Sequence, residues 1–365
     1  MDTLPKRKIT SGSKLGWSYL SAHSDCPTKW YLKNLAPWPG SPIRVDPISR
    51  KLYLSVEGDE PISGEPISGE VPDLPIGLEP RKFSPALDTG TRFHSAIEAY
   101  YRSGVRGGID TRQRDPDAAF AAIGTPEHDS EAEVDAVATT RRLVEKYLYH
   151  YRDEEIEVAC DPIDGHPLIE EELWLDLGYG NYQFTSRLDM IYRQGGYLWA
   201  LEHKSTSASA MGKLLQRFQI DGQVTGQFLQ LVSHFPDETI GGVTLNAAVK
   251  DRGARSTLPE FTRRNYSRTP AQLEKFRLDI VRKLKSIDEH VEAWMDLVTK
   301  GMDFDDAARA TFDASPNGYQ CVGMGIACDF FAYCTNREVA SRLALDTYQP
   351  RTYKFSHENP LRSSK

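Results

Sequence analysis

The sequence predicts an α/β protein, with a β-sheet at its centre and helices before and after that sheet in the chain. Three observations carry this. Residues 170–204, EEELWLDLGYGNYQFTSRLDMIYRQGGYLWALEHK, form three runs of alternating apolar and polar residues, rich in aromatic and β-branched side chains and parted by Gly and Asn. That is the pattern of three consecutive antiparallel strands. Helical periodicity brackets them, at 131–151 and at 219–235. A fourth strand, GVTLNAAVK over 242–250, follows the second helix.

In chain order, residues 1–15 read as a loose arm. Residues 17–35 read as a helix with Leu20, Trp30, Tyr31 and Leu32 as its apolar content, broken or restarted at Cys26-Pro27. Residues 36–85 hold ten of the 22 prolines and a direct PISGE repeat at 61–70. Such sequence builds no core of its own and is expected to be an extended insertion that wraps the surface or orders on a partner. A helix then opens on Asp88-Thr89-Gly90, with Asp88 or Thr89 as its cap and Phe93, Ile97 and Tyr100 or Tyr101 as its buried stripe. His94 flanks that stripe, one turn before Glu98. Residues 104–130, rich in Gly, Asp and Pro, read as a loop. The 131–151 helix should bury Val134, Val137, Val144, Tyr147, Leu148 and Tyr151, and the 219–235 helix Val224, Phe228, Leu231 and Val232. Thr269-Pro270-Ala271-Gln272 is a capping box with Pro at the first helical position. It starts a long core helix to Val298, striped by Phe276, Ile280, Leu284, Ile287, Val291 and Trp294.

Composition bounds the rest. At 365 residues, 39% hydrophobic and 26% charged, the chain suits a globular protein of one large or two modest domains. It has no run of about 20 apolar residues and no apolar core after its basic N-terminus, so the expectation is a cytoplasmic protein with no membrane partner. Formal charge is 44 − 52 = −8, so any binding to nucleic acid must be local. The candidate patches are Lys6-Arg7-Lys8, Lys213 with Arg217, Arg263-Arg264 with Arg268, and Arg282-Lys283 with Lys285. Five cysteines, an odd number, argue against a disulfide framework. Three of them, Cys321, Cys328 and Cys334, crowd into fourteen residues, which suggests ligation by soft thiolates of an iron–sulfur cluster or zinc. Cys26 is the plausible fourth ligand, and Cys160 stands apart.

The chemistry gathers at the end of the strand unit. Residues i and i+2 of a strand share a face about 7 Å apart, so Glu202 and Lys204 project together. The turn at 194–196 brings Asp189 on the preceding strand alongside. Carboxylates that close repel, and a hard divalent cation is the natural counter-charge. The lysine can then hold an attacking water or stabilise charge developing on a phosphate.

Asp189 followed by Glu202-His203-Lys204, thirteen residues on, resembles the D…E-x-K core of the PD-(D/E)XK nuclease superfamily. Gly90 and His94 resemble the G-x-x-x-H helix of its RecB-like members. Gln223 stands where those carry Q-x-x-x-Y, with Gln227 in place of the tyrosine. SYLSAHSDCPTKWYLKNL, at 18–35, resembles the N-terminal segment of iron–sulfur nucleases of the AddB and CRISPR-adaptation exonuclease types. The resemblance implies a restriction-endonuclease-like core with a mixed central sheet flanked by helices, its N- and C-termini joined by a cysteine cluster. It implies metal ligation by His94, Asp189, Glu202 and the backbone carbonyl of His203, with a glutamate of the first strand facing the site, Glu172 being favoured. Lys204 would orient the water and Gln223 the scissile strand. The cofactors implied are Mg²⁺ or Mn²⁺ and a [4Fe–4S] cluster on Cys26, Cys321, Cys328 and Cys334, with Zn²⁺ as the alternative. The family spacing C-x2-C-x5-C is met by Cys328 and Cys334, whereas Cys321 lies four residues before the expected Gly325.

The expected organisation is an N-terminal arm and helix (1–35), the Pro-rich insertion (36–85), the nuclease core (86–300), the cysteine segment (301–340) and a tail (341–365). The expected function is a DNA exonuclease of repair, recombination or phage DNA metabolism, acting on linear ends or single strands with a possible helicase or recombinase partner. The rival class is a catalytically silent DNA-binding or assembly subunit with the same fold and staple.

Overall fold

A computed structural model describes residues 16–36, 43–45, 52–54, 77–80, 84–126, 130–179, 182–250, 260–313, 321–322, 327–335 and 347–350. The arm, the Lys6-Arg7-Lys8 patch, the PISGE repeats and all of the tail but 347–350 lie outside these residues.

Helix α1 (Trp17–Asp25) and helix α2 (Pro27–Asn34) meet at Cys26, whose extended backbone separates them and whose Sγ accepts the Lys29 N–H that would otherwise lack a partner. The break expected at Cys26-Pro27 is present. Two short strands, β1 (Ile43–Val45) and β2 (Leu52–Leu54), pair with each other, and β3 (Leu78–Pro80) follows. Helix α3 (Pro85–Ser103) starts earlier than the sequence suggested. Ser84 caps it ahead of Pro85, and Asp88 instead pairs with Arg92 at 2.8 Å.

The 104–130 segment is not a plain loop. Gly107 and Gly108, at φ 56° and 79°, turn a hairpin of β4 (Val105–Arg106) and β5 (Ile109–Asp110). Asp115 then caps α4 (Pro116–Ile123), which Gly124 ends at φ 72°. Composition hid both, because the capping and turn residues are the same ones that mark loops. Helix α5 (Glu131–His150) buries Ala136, Thr140, Leu143, Val144, Tyr147 and Leu148, while Val134 is 48% exposed.

The strands follow. They are β6 (Glu157–Val158), β7 (Ile169–Asp176), β8 (Gln183–Gln194) and β9 (Tyr197–Thr206). Next come α6 (Met211–Phe218), α7 (Gly222–His234), β10 (Ile240–Val249) and β11 (Phe261–Tyr266). Neither α6 nor β11 was anticipated. Helix α8 (Pro270–Thr299) has the expected reciprocal cap, Thr269 N–H to Gln272 Oε1 at 2.8 Å and Gln272 N–H to Thr269 Oγ1 at 3.3 Å. Helix α9 (Phe304–Phe312), helix α10 (Phe331–Thr335) and β12 (Tyr348–Pro350) close the described chain.

The chain forms two compact units. Residues 83–175 and 186–276 make the sheet unit, which carries most of a mixed sheet of order β11-β10-β9-β8-β6, with β7 also on β8. β9 and β10 run parallel; β8–β9 and β10–β11 are antiparallel. Phe93, Ile97 and Tyr101 of α3, Ile123 of α4 and Leu143 and Tyr147 of α5 pack on Met190, Tyr192 and Leu201. Helix α7 lies against β9 and β10, and Glu202 faces it. Residues 1–82, 176–185 and 277–365 make the other unit, which is helical and aromatic-rich. There Phe312 stacks with Trp30 at 5.6 Å and Tyr31 at 5.2 Å, and Trp294 meets Tyr31 edge-on at 5.9 Å. Among the described residues no helix is long and apolar enough to cross a membrane.

Candidate active site

The site forms where β8 and β9 part. Their ladder ends at Met190 opposite Leu201, so Asp189 and Glu202 are the first residues beyond it. Asp189 Oδ2 accepts the backbone N–H of His203 at 2.7 Å, which ties the freed end of β8 to β9. The carboxylate thus sits beside the strand rather than away from it.

Helix α3 reaches the same point. A Cβ at Gly90 would lie 3.2 Å from Ser205 Oγ, so the glycine lets α3 approach β9. One turn later His94 Nδ1 lies 3.4 Å from Asp189 Oδ2. Burial disfavours the charged imidazole, but Asp189 outweighs it and raises the His94 pKa. Burial likewise works against charge on Asp189, yet His94 and Lys204 hold its carboxyl well below the usual range.

The third group is Glu170. Ligand atoms of His94, Glu170 and Asp189 all lie within 4.8 Å of one another. Burial, then Asp189, pushes the Glu170 carboxyl up to about 7, although the Arg187 guanidinium beside it pulls the other way. The strand glutamate that faces the site is therefore Glu170 and not Glu172. Alternation puts Glu170 and Glu172 on one face and does not choose between them; Glu170 stands at the head of β7 with φ +54°. No pattern of residue types marks that conformation.

Glu202 is 1% exposed and fully engaged. Gln223 Nε2 donates to its Oε1 at 2.7 Å and Gln227 Nε2 to its Oε2 at 2.5 Å, while Lys204 Nζ pairs with Oε1. The two glutamines are one turn apart on α7, whose start Asp221 fixes by accepting the Gln223 N–H at 2.8 Å. Gln227, which the motif would have as tyrosine, thus holds the carboxylate from the buried side. Burial and Asp189 raise the Glu202 pKa; burial would lower that of Lys204, but Glu202 and Asp189 raise it. The pair is pinned.

The His203 ring points away from that pair, into the α3–α5 face. Tyr147 Oη and His203 Nδ1 lie 2.8 and 2.9 Å from Asn246 Nδ2. Asn246 Oδ1 accepts from Tyr151 Oη at 3.1 Å, so the amide is oriented and His203 Nδ1 is its acceptor. Burial drives the His203 pKa down to about 3. Only the backbone of His203 is available to the site. Behind it, Glu154 binds Arg263 at 2.6 Å, Arg114 at 2.7 Å and Tyr101 Oη at 2.6 Å. Of the Arg263-Arg264-Arg268 patch only Arg264 is exposed. Arg263 is spent on this network, and Arg268 on Thr225 and the Phe218 carbonyl.

Cys26, Cys321, Cys328 and Cys334 belong to the helical unit. Cys328 N–H donates to the Cys321 carbonyl at 2.8 Å, and Cys334 lines one hollow with Thr28, two residues beyond Cys26. No disulfide forms, and among the described residues no three of their sulfurs lie within 4.8 Å of one another. Cys160 bridges to Pro167 in the sheet unit.

A mixed sheet flanked by helices, with carboxylates, an imidazole and one lysine at the point where two strands part, defines a metal-dependent nuclease fold. The model of the PD-(D/E)XK nuclease superfamily matches residues 72–335, most of the chain, and the chain belongs to that superfamily. Its fold is the restriction-endonuclease-like one, and membership implies a phosphodiester hydrolase that uses a divalent metal. No curated protein matches the chain.

Proposed function

We propose that the protein is a Mg²⁺- or Mn²⁺-dependent deoxyribonuclease, acting as an exonuclease on linear ends or single strands in DNA repair, recombination or phage DNA metabolism. The observation that carries the reading is the convergence of His94, Glu170 and Asp189 within 4.8 Å, beside the Glu202–Lys204 pair on the next strand. Two carboxylates and an imidazole suit a hard divalent cation, and the raised Glu170 pKa is what such a cation would relieve. His94, Glu170 and Asp189 would hold it, with Glu202 and the His203 carbonyl completing the set. A cation bound there supplies Lewis acidity toward a phosphoryl oxygen and acidifies water.

The chain's own part is positional. Glu202 and Gln227 fix Lys204, whose ammonium orients the attacking water and stabilises the charge that develops on the phosphate. Gln223, partly buried at the start of α7, would position the scissile strand. Exonuclease action is supported by the resemblance of Gly90/His94 and Gln223 to RecB-like nucleases. End-labelled duplex and single strands with Mg²⁺ are the test. The wild type should cleave, and Glu202→Ala and Lys204→Ala should each lose at least about 10²-fold; cleavage persisting in either variant overturns the assignment.

For the helical unit we propose a [4Fe–4S] cluster on Cys26, Cys321, Cys328 and Cys334. The reading is supported by the count of four thiols in one unit and by the Cys328-x5-Cys334 spacing, with Zn²⁺ as the alternative occupant. Anaerobically purified protein should absorb near 400 nm, and its absence together with stoichiometric zinc overturns the cluster.

A further inference from the structure

Arg187 stands two residues before Asp189 on β8, so the two side chains leave the same face of the sheet. Its Nε lies 2.8 Å from Oε2 of Glu170, the carboxylate that completes the group with His94 and Asp189. The side chain is 40% exposed, and Glu170 is its one partner among the described residues. The other arginines around the site are differently placed. Arg92 and Arg102 also bind main-chain carbonyls, and Arg114 and Arg263 are locked on Glu154. An ion pair as open as Arg187–Glu170 adds little to stability. A cation that neither builds the core nor stays clear of a candidate metal site, where it would weaken ion binding, calls for another explanation.

Resting on the nuclease reading above, we propose that Arg187 is a substrate-binding catalytic residue of this site, gripping a non-bridging oxygen of the phosphodiester that enters beside Asp189. The Glu170 carboxylate holds the guanidinium at the edge of the site. The terminal nitrogens, free of protein partners among the described residues, present the fork that matches two phosphate oxygens. A lysine at this position would supply charge without the fork. Because Arg187 also repels a cation held by Glu170, its metal effect and its substrate effect have opposite signs, which a merely structural prop for Glu170 would not show.

The test compares the full-length wild type with Arg187→Ala and Arg187→Lys. Mn²⁺ binding is followed by titration calorimetry, binding of an end-labelled single strand is measured in Ca²⁺, and cleavage in Mg²⁺. Arg187→Ala should bind Mn²⁺ as tightly as the wild type or several-fold more tightly, bind the strand about tenfold more weakly, and lose on the order of 10²-fold in kcat/KM. Arg187→Lys should recover part of the strand affinity. A kcat/KM of Arg187→Ala within twofold of wild type, or a fall in Mn²⁺ affinity in step with cleavage, overturns the proposal. A wild type that cleaves nothing overturns the nuclease reading instead, and the strand-binding arm alone then decides on Arg187, with equal affinities for wild type and variant counting against it.

Discussion

His203 and His23 are buried neutral histidines with consequences for stability. Burial lowers the His203 pKa to about 3, and burial with His290 beside it lowers that of His23 to about 4. Both lie below the unfolded value of 6.5, so the unfolded chain binds more protons between those limits. The stability they contribute is therefore complete above pH 6.5 and is lost as pH falls toward 4 and 3, on the order of 3 kcal/mol for His23 alone. Metal-free melting temperatures should drop steeply over that range, and His23→Asn should flatten the slope. Glu170 gives the opposite sense. Its pKa of about 7 means that metal uptake must displace a proton below that pH, so Mn²⁺ affinity should climb as pH rises toward 7 and level off above it. The chemical identity of these residues is legible in the sequence. Their protonation is not, because it depends on which groups the fold buries around them.

At the scale of elements, close backbone approaches decide what each helix and strand can carry. Gly242 sits at φ +140°, and a Cβ there would come within 2.2 Å of the Tyr266 carbonyl oxygen, so Gly242→Ala should part β10 from β11 and cost at least about 2–3 kcal/mol by chemical denaturation. Gly90 is milder, since the atom that a Cβ would meet is the hydroxyl of Ser205. Gly90→Ala should be nearly neutral. Gly90→Leu should push α3 off β9, carry His94 from Asp189 and weaken Mn²⁺ binding. Glu154 joins α3, α5 and β11 through Tyr101, Tyr147 and Arg263; Glu154→Gln leaves two arginines short of charge and should cost about 3–5 kcal/mol. The three strands of 170–204, the α8 capping box and the α1–α2 break were all readable in advance, because periodicity and caps are local. Helix α4 and the β4–β5 hairpin were missed because their Gly, Asp and Pro residues spell loop and element boundary alike.

Over the whole molecule, the chain passes between the sheet unit and the helical unit four times, and the two proposed metal sites fall in different units. Cys26→Ser should therefore remove the absorbance near 400 nm and lower the stability of the helical unit, while Mn²⁺ binding by His94, Glu170 and Asp189 persists. Joint loss of both would show that the sites are not separable. The sequence by itself determined the fold class and that Asp189, Glu202 and Lys204 come together with His94 and Gln223, since strand alternation and helical spacing place those side chains wherever the elements pack. Only the tertiary structure decided that Glu170 is the glutamate beside His94 and Asp189, that the His203 ring faces the core, that Gln227 clamps Glu202 and that Arg263 is tied to Glu154. Each of these turns on a single backbone dihedral or on a neighbour distant in the chain, and neither leaves a trace in local residue order.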